Sequence, residues 1–217
     1  LCNRVMKQHD CPGVFNLLIG NHHNVIDPLV EDRRVPLISA TGSCRMGRIL
    51  GGNMAKRFGR LILELGGNNA IIVAPDADQD MALRAVLFAA VGTAGQRCTS
   101  VRRVFLHKSI APAFVARLKK AYASVKIGDP LEDGVNMGPL VDEQAVKEFE
   151  EAIATIKAQG GEILTGGKRL QRPGSYVEPT LAKARVGMPI TREETFAPIL
   201  YLFEFETVEE AIAAQNS

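Results

Sequence analysis

Short apolar runs alternate along this chain with longer stretches of helical period, and that alternation limits the fold more than any other feature. VFNLLIG (14–20) reads as a buried strand, NVIDPLVED (24–32) as a helix with Pro28 near its start, and VPLISATG (35–42) as a second strand. SCRMGRILGGNMAKRFG (43–59) then reads as a helix despite its glycines, and RLILELGG (60–67) as a third strand. Strands separated by helices cannot pair as hairpins. They pair in parallel through crossover helices, which predicts an α/β fold of the nucleotide-binding class.

A second unit is expected from Asn68 onward, dividing the chain into 1–67 and 68–217. AIIVA (70–74) reads as a strand, and the helix within DADQDMALRAVLFAAVGTAG (76–95) has aspartates to cap its start and Gly95 to stop it. Strand RRVFLHK, helix APAFVARLKKAYASV, a turn-rich stretch over 126–142 and the long helix EQAVKEFEEAIATIKAQGG follow. EILTGG, YVEPTLAKA and FAPILYLFEF read as the last strands, and TVEEAIAAQNS as a closing helix.

Composition narrows the function classes. A net charge of +2 over 217 residues gives no footing for nucleic acid or an anionic membrane, and the short basic runs Arg102-Arg103 and Lys119-Lys120 read as solvated faces. No segment approaches the ~18 uninterrupted apolar residues of a membrane span, and no leader pattern opens the chain. Four scattered cysteines, Cys2, Cys11, Cys44 and Cys98, fit reduced thiols and a cytoplasmic location. Cys2, His9, Cys11, His22 and His23 match no common zinc spacing, so no metal is expected. The chain opens without methionine, in what reads as mid-helix, and is expected to be part of a longer polypeptide.

Three stretches carry candidate chemistry. In SATGSCRMG, Gly42 and Ser43 stand at a strand-to-helix junction with Gly47 in the following turn, where backbone N–H groups favour a phosphate. A plain helix cap explains the same residues, and the spacing is neither a GxGxxG fingerprint nor a P-loop. In LELGG, Glu64 is a candidate general base if the strand is buried, because burial raises a carboxyl pKa; strict alternation would instead turn it to solvent. In AGQRCTS, Cys98 follows a helix C-terminus and is either a core cysteine or a nucleophile.

Taken in order, TGSCRMG, LELGGNNAIIV, GQRCTS and EETFAPIL closely resemble the aldehyde dehydrogenase superfamily over essentially the whole chain. The spacings agree, about 34 residues from Glu64 to Cys98 and nearly 100 from Cys98 to Glu194. ELGGNN, AAVGTAGQRCTS and RPGSYVEPT look most like the antiquitin branch, whose members oxidise α-aminoadipic semialdehyde in lysine catabolism.

The resemblance implies a Rossmann-like cofactor-binding portion over 1–67 and an α/β catalytic portion over 68–217. It also implies NAD, with NADP left open, as the cofactor. By it, Cys98 is the nucleophile, its backbone N–H is an oxyanion donor, and Glu64 is the base that activates water. Ser43 and the Gly42–Gly47 turn would hold the pyrophosphate, Leu65 the nicotinamide through its backbone, Glu194 the nicotinamide-side ribose, and Phe196 would pack at the nicotinamide end. Arg97 becomes a candidate for a distal substrate carboxylate, or else is a surface arginine or one tied to a neighbouring loop. Thr99 and Ser100 line the pocket or merely shape a turn.

The implied partner is a small-molecule aldehyde, and the full-length parent would be a homodimer or homotetramer. Glu64 favours hydrolysis of the acyl intermediate over transfer to coenzyme A, a branch that lacks this glutamate. The family's oxyanion asparagine, its adenosine-reading residues and its C-terminal part are not in these 217 residues, so an inactive fragment is one alternative. A redox-independent cysteine esterase is another; it would need a histidine near Cys98, and His107 is the nearest in sequence.

Overall fold

The computed structural model describes the whole backbone and every side chain except that of His22. It has two compact units, 1–66 and 67–217.

The first unit begins with α1 (Cys2–Gln8), a short helix that buries nothing. The expected buried strand at 14–20 is absent. These residues are irregular and exposed, Leu17 and Ile19 most of all. An apolar run alone does not distinguish a strand from other extended chain, and no described strand pairs with this one to satisfy its backbone. The helix expected at 24–32 divides into a π-turn over His22–Ile26 and α2 (Asp27–Glu31), with Pro28 at the start of α2, where its missing N–H costs nothing.

The rest of this unit is a strand–helix–strand crossover. β1 (Leu37–Thr41) pairs in parallel with β2 (Arg60–Glu64), from Leu37 opposite Arg60 to Thr41 opposite Glu64. Between them runs α3 (Cys44–Lys56), whose first turn is capped by the Ser43 hydroxyl accepting from the Met46 N–H at 3.2 Å. Leu50 and Met54 on α3 join Val30 in a small core, with Ile38, Ala40, Leu61 and Leu63 packed against it. Alternation therefore decides the face of Glu64. Leu61 and Leu63 turn inward, and Arg60, Ile62 and Glu64 are exposed. The strand is half-buried, and the burial that would make Glu64 unusual is not found.

The second unit carries the main core. Its described strands form a five-stranded sheet, β3 (Asn69–Val73), β4 (Val101–His107), β7 (Ile199–Phe205), β6 (Thr180–Lys183) and β5 (Glu162–Thr165), in that spatial order. All neighbours are parallel except the β5–β6 pair. Central β4 and β7 are buried almost throughout, as parallel strands covered on both faces must be.

Helices α4 (Gln79–Val91), α5 (Ala111–Ala123), α6 (Glu143–Ala158) and α7 (Val208–Gln215) complete the unit. Side chains of Asp78, Asp142 and Thr207 cap the starts of α4, α6 and α7. Phe114 of α5 and Phe149 of α6 are fully buried, each worth about 1.5–3 kcal/mol of apolar burial. Among the described residues no helix is long and apolar enough to cross a membrane.

Candidate active site

The second unit holds Cys98 on a strained loop between α4 and β4. After Val91 the chain leaves the helix through three successive residues of positive φ: Thr93 at 54°, Ala94 at 52° and Gly95 at 70°. Positive φ costs a non-glycine residue on the order of 1 kcal/mol, so neighbouring contacts must enforce the turn. Gln96 supplies several of them. Its side chain donates to the Thr93 and Pro139 carbonyls and accepts from the Val141 N–H.

Past the turn, Ser100 is fully buried and closes the loop on itself. Its hydroxyl accepts from the Arg97 N–H, and its own N–H donates to the Arg97 carbonyl. Asn69 at the start of β3 donates to the carbonyls of Cys98 (2.6 Å) and Ser100 (3.0 Å). The carbonyl of Cys98 is thereby pinned while its thiol is exposed, and its backbone N–H donates to no described group. Thr99 is exposed, whereas Ser100 serves the turn.

Arg102 and Arg103 correct the expectation of a solvated basic run, being only 2% and 6% exposed. Adjacent strand residues face opposite sides. Arg103 turns to the Asn68 and Gln215 carbonyls, and burial lowers its pKa. Arg102 turns to the cysteine loop and the segment before β7. Burying a guanidinium is tolerable only with its donors satisfied, and here all five N–H groups are used. They donate to the carbonyls of Gly67, Gly95, Arg97 and Thr195 and to Oε1 of Glu194, the last at 2.8 Å. The guanidinium also lies 5.4 Å from the ring centroid of Phe196, which is partly exposed.

Arg97 takes another course, folding back on the end of α4. Nη2 donates to the Phe88 carbonyl at 3.2 Å, the guanidinium covers the Phe88 ring, and Nε is buried without a described partner. His107 is tied to Ser109 and the Glu206 carbonyl at the end of β4 opposite the cysteine loop, so it does not serve Cys98 as a base.

The first unit has a candidate site of its own. A cleft of about 760 Å³ opens beside the C-terminal end of β1 and the start of α3, bordered by Val30, Ile38, Thr41, Ser43, Ile49 and Asn53. Parallel-sheet proteins bind ligands outside such strand ends. Gly42 and Ser43 stand at the junction, with the Gly42 N–H held by the Glu64 carbonyl. Gly47 departs from the expectation of a phosphate-holding turn. Its N–H already bonds the Ser43 carbonyl, and a Cβ there would overlap Leu65. Its contribution is to let Leu65 lie close against α3.

Comparison with known proteins places the chain in a family. The aldehyde dehydrogenase family model matches residues 3–217. The chain belongs to the aldehyde dehydrogenase family. It is 47% identical over its full length to a putative aldehyde dehydrogenase family 7 member A1 homolog of Dictyostelium discoideum, covering 43% of that protein. It is 45% identical to the alpha-aminoadipic semialdehyde dehydrogenase of Rattus norvegicus, over 98% of this chain and 40% of the rat protein.

Among solved structures, betaine aldehyde dehydrogenase from Staphylococcus aureus in complex with NAD+ superposes with a TM-score of 0.94 at 31% identity, over 99% of this chain and 44% of that one. Lactaldehyde dehydrogenase from Escherichia coli gives 0.94 at 35%, over 99% and 46%. This aldehyde dehydrogenase chain thus spans less than half the length of the relatives it matches.

Within the second unit, Arg102 links the loop of Cys98 to Glu194 and lies beside Phe196. Arg102, Asn69 and Gln96 were missed. The signal for Arg102 was present, an arginine within an otherwise apolar strand, where it had to be paired or excluded. The loop also makes a sharp prediction. Gly95 sits at positive φ with the Ala197 carbonyl where a Cβ would be. Gly95→Ala is expected to destabilise the protein by about 2–4 kcal/mol, the sum of strain and overpacking. Urea unfolding of the variant measures it, and an unchanged midpoint would contradict the packing described.

Proposed function

We propose that the protein carrying this chain oxidises an aldehyde to the carboxylic acid with NAD(P)+, by thiol chemistry at Cys98 and hydrolysis assisted by Glu64. The observation that carries this reading is the exposed Cys98 on an enforced left-handed loop, sharing Arg102 with a carboxylate whose second oxygen, Oε2, has no described partner. Residues 1–67 would form part of the cofactor-binding domain and 68–217 part of the catalytic domain.

The residues present fit NAD. The cleft beside β1 is mainly apolar, the Cys44 and Arg45 N–H groups at the start of α3 have no intrahelical acceptors, and Glu194 offers Oε2 to a diol. Gly42, Ser43 and the first turn of α3 would hold the pyrophosphate, with Gly47 aiding close packing. Leu65 would meet the nicotinamide through its backbone, Glu194 would bind the nicotinamide-side ribose, and Phe196 would pack beside it. When bound, NAD+ supplies the hydride acceptor.

The chain's own groups account for the remaining steps. The Cys98 thiolate attacks the aldehyde carbon, and the oxyanion that forms is met by the Cys98 backbone N–H. Loss of hydride from that carbon leaves a thioester on Cys98. The Glu64 carboxylate takes a proton from water, and the hydroxide so generated cleaves the thioester and releases the acid. Glu64 makes no ion pair with a described residue and is exposed to solvent, so its carboxylate is open to water.

The substrate proposed is a semialdehyde such as α-aminoadipic semialdehyde, supported by the identity to the rat enzyme of that name. Arg97 is proposed to meet its distal carboxylate, for which Nη1, which donates to no described group, is left over. Lysine catabolism, a cytoplasmic site and a homodimeric or homotetrameric parent belong to the same reading, and the free cysteines fit a reducing compartment.

The test is NADH formation from NAD+ with α-aminoadipic semialdehyde beside propanal. Preference for the semialdehyde supports the reading, and failure to oxidise either refutes it. Arg97→Met should raise KM for the semialdehyde about 10- to 100-fold, the cost of a lost charge-assisted hydrogen bond, and leave KM for propanal unchanged. Equal effects on both would make Arg97 a tie to α4 alone.

A further inference from the structure

We propose that Arg102 is a positioning residue for the cofactor: by occupying one oxygen of Glu194 from the buried side, it presents the other to the ribose. The inference rests on the function proposed above, since it requires that Glu194 bind the cofactor.

A glutamate side chain near the surface has three rotatable bonds and two equivalent oxygens, so unaided it would meet a diol in many orientations. In this structure Oε1 accepts twice, from Nη2 of Arg102 at 2.8 Å and from the Gly67 N–H at 3.3 Å. Oε2 accepts from no described residue. The side chain of Glu194 is 21% exposed and that of Arg102 2%, so Oε1 is anchored on a buried group, while Oε2 is not among the buried unpartnered atoms. Fixed acceptors cost less ordering when a ligand binds than mobile ones.

Arg102 cannot readily move to follow the carboxylate. Its other four donors are held by the Gly67, Gly95, Arg97 and Thr195 carbonyls, so the guanidinium is clamped from three chain segments at once. Two of those carbonyls, Gly95 and Arg97, belong to the loop that carries Cys98. The same planar group therefore fixes the ribose acceptor and the nucleophile's loop in one frame. Lysine could not replace it, since a point charge cannot span five acceptors in a plane.

The test is a double-mutant cycle on NAD+ affinity, measured by calorimetric titration of the full-length protein. Arg102→Met and Glu194→Gln should each raise the dissociation constant about 10- to 100-fold, and the double variant should be no weaker than the weaker single one. Independent, additive losses would overturn the proposal, because a merely structural arginine would weaken binding whether or not Glu194 were present. If Arg102→Met does not fold by circular dichroism, Arg102→Lys takes its place in the same cycle, and folded Arg102→Lys with wild-type affinity would overturn the proposal.

A crystal structure of the wild-type protein with NAD+ decides the matter without a variant. Ribose hydroxyls on Oε2, with Arg102 still on Oε1, support it; a ribose on Oε1 with Arg102 displaced sinks it. Wild-type protein that binds NAD+ but oxidises no aldehyde would refute the proposed function and leave the cycle to judge Arg102. Wild-type protein that binds no NAD+ would refute both.

Discussion

Cys98→Ala is expected to lower aldehyde-dependent NADH formation by about four orders of magnitude or more, the usual cost of losing a nucleophile whose step no neighbour can take over. Stability should barely change, because the Cys98 thiol is exposed and the loop is held by the backbone and by neighbouring side chains. Cys2, Cys11 and Cys44 are exposed as well and serve as internal controls. Alkylation mapped by peptide mass should abolish turnover in step with modification of Cys98, whatever happens at the other three. Substantial turnover in Cys98→Ala would mean that another group attacks the aldehyde.

The second large effect concerns Glu64. Glu64→Gln keeps the shape of the side chain and removes its basicity, so acylation of Cys98 should proceed while deacylation slows by about 100- to 10,000-fold. A burst of one NADH per active site followed by slow turnover is the expected kinetic trace. Intact mass should then show the acyl group retained on Cys98. A variant with unchanged steady turnover and no trapped thioester would remove Glu64 from the role. The exposure of Glu64 at the end of β2 makes the substitution mild for folding, which keeps the kinetic result interpretable.

Both predictions rest on residues that stood out in the sequence, and much of the fold was legible there as well. β1, α3 and β2 followed from apolar runs interrupted by a capped helical pattern, and the aspartates before α4 marked its start, Asp78 capping it by local hydrogen bonding that needs no distant partner. The stretch at 14–20 failed for the complementary reason. Its apolar content matches that of a strand, yet a strand exists only where a neighbour pairs with it. Glu64 was undecidable by type alone, and the inward packing of Leu61 and Leu63 against α3 settled its face.

Local chemistry written along the chain thus determined the α/β alternation, the helix caps and the motifs that carry Cys98, Glu64 and Glu194, because period and capping act over a few residues. The tertiary structure alone decided that Arg102 is buried rather than solvated, and that Thr93 and Ala94 hold positive φ. It likewise decided that Gly47 serves packing and that Arg97 lies over Phe88. Each of these depends on partners outside the local pattern, from nine residues between Arg97 and Phe88 to 92 between Arg102 and Glu194, and an arginine in an apolar strand signals that it must be paired without naming its partner.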